Sequence, residues 1–292
     1  MQNSVCIPLK TADGHRFELQ VCEAEQADAP VILIFPALGV RASYYEPLAQ
    51  TLCSSGFHTA RFDHRGTGSS SVRPKRGVDF GYETVLTKDY PVVFEAIRQR
   101  FPEHPIFLLG HSLGAQLSMI YVAKGREKIN GLIHIGAGTP WYRNWSGVER
   151  LKIVFASLVF PLTCRLFGYF PGQLLGFAGR QGKTLMMDWS DTVRSGNYQP
   201  RGARKSYESA MLRTEKPILS ISLAGDFYAP PKAAEHLALK YGPASDVVHL
   251  HYTQAMLPHA KIDHFNWAKE AGFLLPALQE WVQTQLSPAV HT

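Results

Sequence analysis

In Gly110-His111-Ser112-Leu113-Gly114 a serine stands between two glycines, with an apolar run before it and an amphipathic one after it. A serine hydroxyl is a poor nucleophile at neutral pH. It does acyl chemistry only when a base takes its proton and an acid orients that base. The five-residue pattern alone is a weak signal, because a small residue in a tight turn produces it too. Its setting strengthens it: residues 106–111 read as a strand and 113–124 as a helix, the strand-turn-helix context that the motif requires. A sharp turn there would strain the backbone at Ser112 and lift its Oγ above the sheet. The N–H of Leu113, at the helix N-terminus, would point toward a developing oxyanion.

The partners of such a serine are sought downstream. Asp226 follows the apolar run 218–225, at the strand end where parallel sheets gather their ligands. The alternative use of this carboxylate is to cap the helix that begins near Pro230 or Pro231. Histidines are plentiful, 12 in all. His249 and His251 lie in an alternating stretch and read as strand-face residues. His259 and His264 share the loop after the last strand, and His264 is preferred because it immediately precedes the final helix, where a loop can carry the ring back over the serine. The neighbouring Asp263 reads as a helix-start or surface charge, since adjacent residues cannot easily address one ring.

Apolar runs at 31–37, 58–63, 106–111, 131–137, 218–225 and 246–253 alternate with helical periodicity at 44–55, 83–100, 113–124, 231–241 and 266–285. Such strands are buried on both faces, so the expected class is α/β, with a mostly parallel sheet flanked by helices. Residues 1–22 alternate around Asp13-Gly14 and predict an antiparallel hairpin at the sheet edge. The alternation fails between 139 and 215. The expected organisation is a core of residues 1–138 and 216–292 carrying an inserted helical cap at 139–215. Its most apolar stretch, Ile153 to Phe170, is interrupted by Pro161 and Arg165 and is read as a buried or substrate-facing helix pair rather than a membrane span. Most of the cap's aromatic residues are assigned to packing, while Trp141, Trp145 and Trp189 are taken as substrate contacts.

Composition narrows the function classes. A chain of 292 residues with 45% hydrophobic content can bury a sizeable core. The net charge of +6 comes from scattered basic residues, and nothing resembles a nucleic-acid module. Residues 194–216 carry Arg194, Arg201, Arg204, Lys205, Arg213 and Lys216, which read as a solvated linker face, with docking of an anionic carrier or headgroup as the other use. Cys6, Cys22, Cys53 and Cys164 show no metal-binding spacing and are read as buried, reduced thiols of a cytoplasmic protein. No secretion signal, transmembrane segment, metal, phosphate loop or cofactor is expected. Oligomeric state is not legible.

Four motifs carry a resemblance. Residues 63–70 (DHRGTGSS) resemble the Asp-x-Arg-Gly-x-Gly-x-Ser loop of the α/β-hydrolases. GHSLGA resembles their nucleophile elbow, GDFYAP their acid turn and DHF their histidine turn. The chain is similar to the bacterial hydrolases of the serine-aminopeptidase and monoglyceride-lipase-like branch over residues 1–138 and 216–285. Within the insertion, GYFPGQLLGF and MMDWSD resemble a poorly characterised subgroup. The resemblance implies an α/β-hydrolase fold, with Ser112 as nucleophile, His264 as general base then acid, and Asp226 fixing the imidazole tautomer. It also implies Leu38 N–H as the second oxyanion donor, although Pro36-Ala37-Leu38-Gly39 departs from the family's His-Gly pair, and a structural role for Asp63, His64 and Arg65. The expected activity is hydrolysis of an ester, thioester or amide of a lipophilic or aromatic small-molecule acyl substrate. An acyltransferase with the same triad and a non-catalytic binding protein are the alternatives.

Overall fold

The computed structural model describes residues 3–125, 127–257 and 261–287. Ten strands appear in chain order: β1 (Asn3–Lys10), β2 (Arg16–Glu23), β3 (Val31–Phe35), β4 (His58–Phe62), β5 (Ile106–His111), β6 (Gly131–Ile135), the short β7 (Phe170–Pro171) and β8 (Arg180–Gln181), β9 (Ile218–Leu223) and β10 (Val247–Tyr252). Eight of them form one sheet in the order β1-β2-β4-β3-β5-β6-β9-β10. The hairpin β1-β2 joins it antiparallel through β4, and every pairing from β4 to β10 is parallel. β3 to β6 and β9 are buried along their whole length, as continuous apolar runs covered on both faces must be. β10 is the far edge strand, and His249 and His251 are exposed on it.

The helices are α1 (Glu46–Ser54), α2 (Tyr82–Thr84), α3 (Tyr90–Arg100), α4 (Leu113–Val122), α5 (Gly147–Phe167), α6 (Lys183–Ser195), α7 (Tyr207–Met211), α8 (Pro231–Ala238) and α9 (Leu275–Leu286). A π turn, Val85–Asp89, joins α2 to α3. One face of the sheet packs Leu48 and Leu52 of α1 with Leu278 and Trp281 of α9. The other packs Val93 and Phe94 of α3 with Leu117 and Ile120 of α4. The predicted alternation of strands and helices is therefore present as a three-layer arrangement.

The 139–215 segment holds α5 to α7 and departs from expectation. Instead of a helix pair, α5 is one helix of 21 residues that continues through Pro161. A proline inside a helix leaves the carbonyl four residues earlier without its donor. Here that carbonyl, on Ser157, accepts a hydrogen bond from Arg194 Nη1 of α6 at 2.6 Å, so the lost backbone bond is replaced from the neighbouring helix. The helix is not buried as a whole: Leu151, Phe155, Leu158, Leu162 and Leu166 are exposed along one side. No helix among the described residues is long and apolar enough to cross a membrane.

The cysteines also correct the sequence reading. Cys22 in β2 and Cys53 in α1 form a disulfide with their Cα atoms 6.2 Å apart, Cys164 is a buried free thiol, and Cys6 is exposed. Residues 31 positions apart carry no spacing signature, so only the folding of α1 against β2 reveals the pair.

Candidate active site

Ser112 sits between β5 and α4 with φ 52° and ψ −119°, a left-handed conformation that a residue with a side chain rarely adopts. The flanking glycines make the turn feasible. A Cβ on Gly110 would lie 2.3 Å from Ala115 Cα, and one on Gly114 would lie 2.2 Å from the carbonyl oxygen of Phe35, so only glycine lets α4 approach β5 and the end of β3 this closely. Leu113 is the first residue of α4, where a backbone N–H has no acceptor within the helix.

Asp226 lies just past β9, fully buried at its side chain. Its Oδ1 accepts the backbone N–H groups of Tyr228 at 2.9 Å and Ala229 at 3.0 Å. Both carboxylate oxygens lie 2.9 Å from His264 Nδ1. The carboxylate thus closes its own turn and holds the histidine, and it does not cap the helix beginning at Pro231. The His264 ring contacts Tyr228, Phe265 and His111, with centroids 4.9, 4.7 and 4.8 Å away. Its backbone carbonyl accepts from Trp267 Nε1 at 3.1 Å. Asp263 faces away from this ring and accepts the N–H groups of Phe265 and Asn266, so it closes the loop before the final helices. Burial alone would raise its pKa, but these donors hold it below the usual carboxylate range. His259, the other candidate from the same loop, lies outside the described residues.

Ser112 and His264 line one cavity of about 330 Å³ between the sheet's C-terminal edge and the 139–215 segment. Leu38 and Leu113 line it as well, one from the loop after β3 and one from α4. Trp145 and Trp189 reach the same cavity, and Trp145 is held by a 3.0 Å bond from its Nε1 to the Phe227 carbonyl. Trp141 does not: it lies against Gly196 and His236 with the Arg143 guanidinium over its ring. The sequence did not single out Ile153, Phe160 and Phe177 of the segment, or Phe227 and Tyr228 beside Asp226, as lining residues. Nothing in an isolated sequence separates an aromatic that packs from one that lines a pocket. Among the described residues no group of histidine, cysteine and carboxylate side chains is placed to hold a metal ion.

A second Ser-His-Asp arrangement lies away from this cavity. His15 Nδ1 lies 3.1 Å from Asp89 Oδ1, and His15 Nε2 lies 2.9 Å from Ser70 Oγ. All three residues are buried. Ser70 Oγ also accepts the N–H groups of Gly66 and Val72, while Asp89 is paired with Arg65. A buried hydroxyl so engaged ties a loop together. Asp63 does related work by accepting the N–H groups of Ala42 and Ser69, each at 2.8 Å. The 63–70 loop is therefore built as a brace under the loop after β3.

Of the basic residues at 194–216, three are committed internally: Arg194 to Ser157 and Asp191, Arg201 to Asp191, and Lys216 to the carbonyl of Ile129.

Residues 26–168 match the family model for serine aminopeptidase S33. The monoglyceride lipase of Rattus norvegicus is 28% identical over 152 residues, which are 52% of this chain and 48% of that protein. The chain thus spans about half the length of the curated relatives it matches. Among solved structures, a monoacylglycerol lipase of Paleococcus ferrophilus superposes with a TM-score of 0.61 at 16% identity, covering 92% of this chain and 99% of that one. Est1E of Butyrivibrio proteoclasticus, solved with ferulic acid bound, gives 0.64 at 16% identity, covering 97% and 100%. These structures share the α/β-hydrolase architecture of the present chain.

Proposed function

We propose that this chain, which has the α/β-hydrolase fold and resembles the serine aminopeptidase S33 and monoglyceride lipase proteins, hydrolyses an ester or thioester of a lipophilic or aromatic acyl group through Ser112. The observation that carries the proposal is the strained Ser112 sharing a cavity with a histidine whose Nδ1 is held by a buried carboxylate. With the proton kept on Nδ1 by Asp226, the lone pair at His264 Nε2 is the available base. Ser112 Oγ attacks the carbonyl carbon as its proton passes to Nε2. The oxyanion that forms is met by the N–H groups of Leu38 and Leu113. Collapse expels the alcohol or thiol, which leaves with the proton from His264. Water then repeats the sequence on the acyl-enzyme, releasing the acid and restoring Ser112.

Substrate class is inferred from the walls of the cavity. Ile153, Phe160, Phe177 and Trp189 give an apolar surface suited to a hydrocarbon or aromatic acyl group, and the 139–215 segment is proposed to act as the cap that selects it. The Cys22–Cys53 disulfide removes reduced thiols as an argument for a cytoplasmic location.

The test is active-site labelling with a phosphonofluoridate, paired with turnover of p-nitrophenyl esters of graded chain length. Wild-type protein is expected to label and to turn over an ester, and Ser112→Ala to do neither. Equal labelling of the two proteins would reject Ser112 as the nucleophile. Free acid as the product in the presence of added alcohols identifies water as the acceptor, whereas a new ester identifies acyl transfer.

A further inference from the structure

The proposed reaction needs Leu38 N–H aimed at the oxyanion, and this loop lacks the family's His-Gly pair, so something else must hold it. Two hydrogen bonds do so. The carbonyl of Ala37, in the same peptide plane as Leu38 N–H, accepts from Val40 N at 3.1 Å. The N–H of Ala37 donates to the hydroxyl of Tyr45 at 2.9 Å. Because a peptide unit is planar, the bond to the Ala37 carbonyl fixes the direction of the Leu38 N–H, and the bond from the Ala37 N–H to Tyr45 holds the preceding peptide unit, so the φ and ψ of Ala37 between them are held as well.

Tyr45 ends the 3-10 turn Ala42–Tyr45 and is fully buried. Its hydroxyl also lies 2.7 Å from Nδ1 of His111, the residue immediately before Ser112. A phenol has one proton to give. Its oxygen accepts from Ala37, and when its proton goes to His111 Nδ1 the imidazole's own proton stands on Nε2. His111 is itself fully buried, and burial, together with neighbouring His264, holds its pKa well below the usual histidine range. Burial thus favours its neutral form. The ring then stands against His264 at 4.8 Å and edge-on to Trp267 at 5.2 Å. One hydroxyl thus links the loop after β3, the elbow strand β5 and, through a ring contact, the histidine loop.

We propose that Tyr45, acting through Ala37 and His111, is a positioning residue that sets the oxyanion hole for Ser112. It touches no reacting atom. The inference rests on the proposed hydrolysis and deepens it by identifying what replaces the missing His-Gly pair. Neither residue follows from a motif, because Tyr45 lies in an ordinary helix approach and His111 occupies a variable position of Gly-x-Ser-x-Gly.

Tyr45→Phe keeps the ring and removes only the hydroxyl. It is expected to lower kcat for a p-nitrophenyl ester by about tenfold to a hundredfold, below the loss of about 10²–10³ that follows deletion of a whole donor. KM should stay within about threefold. A matched thionoester supplies the readout that a general loosening would not move: sulfur is a poor acceptor for an oxyanion hole, so the ester-to-thionoester rate ratio should fall in the variant. Far-ultraviolet circular dichroism checks that the protein is folded. His111→Leu, which removes the acceptor of the same proton, is the second arm and should shift the ratio in the same direction. An unchanged ratio in either folded variant overturns the proposal, as does a parallel loss of ester and thionoester turnover. Absence of ester turnover and labelling in the wild type would instead reject the hydrolase reading itself.

Discussion

At the scale of residues, the site's chemistry depends on what each polar atom is already bonded to. Ser112 and Ser70 both have a histidine and an aspartate within the same chain, yet Ser70 Oγ is consumed by backbone donors and Ser112 faces a cavity. Asp226 is the residue on which this distinction can be measured. Its replacement by asparagine leaves the two backbone donors an acceptor but presents His264 with a group that no longer demands a proton on Nδ1, so the wrong tautomer becomes available. Asp226→Asn is expected to lower kcat by on the order of 10³–10⁴ with little change in KM, measured with the ester that the wild type prefers. Wild-type kcat in this variant would mean that Asp226 serves only its own turn. The places of these candidate residues were legible in the sequence: Ser112 and Asp226 lie just past β5 and β9, and His264 lies in the loop before the final helices. Tyr45 and the lining residues Ile153, Phe160, Phe177, Phe227 and Tyr228 were not, since their roles arise from contacts between distant segments.

At the scale of elements, α6 shows how the 139–215 segment is fastened. Asp188, buried in this helix, accepts the N–H of Tyr82 and the N–H of Arg201, each at 2.9 Å, and so joins α6 to the start of α2. Burial pushes its carboxyl up to about 7, against the pull of those two donors. A raised carboxyl stabilises the fold below its unfolded value near 3.8, and that contribution is lost as pH rises to about 7. Buried His64, lowered to about 4, and His134, lowered to about 3, give the opposite slope over much of the same range. The comparison with Asp188→Asn isolates the carboxyl. The difference in Tm between wild type and variant should be largest near pH 4.5 and shrink toward pH 7.5, and a difference independent of pH would exclude a protonated Asp188 in the folded protein. Neither this fastening nor the passage of α5 through Pro161 was readable in advance. The proline argued for a break, and only the position of Arg194 on a helix some 30 residues later removes the reason for one.

At the scale of the molecule, the mostly parallel sheet with its antiparallel edge hairpin followed from pattern because buried parallel strands are continuous apolar runs and their crossovers are helical, whereas the strand order is given by the structure alone. The Cys22–Cys53 bond has no such signal. It joins the antiparallel edge to α1, and Cys22 is paired with Thr59 near the start of β4. The site lies at the other end of the sheet, beyond Phe35 and His111. This separation makes a prediction about stability without a matching one about catalysis. Closing a loop of 31 residues restricts the unfolded chain by roughly 3.7 kcal/mol. For a protein of this size that corresponds to a fall in Tm of several degrees. Reduction with dithiothreitol, or Cys53→Ser, should therefore lower Tm by that amount while kcat/KM for an ester at 25 °C stays within twofold. If Tm is the same in the reduced and oxidised protein, the bond contributes no constraint. If kcat/KM falls along with Tm, the strain of the edge is transmitted through β4 and β3 to the loop carrying Leu38, and the two ends of the sheet are not independent.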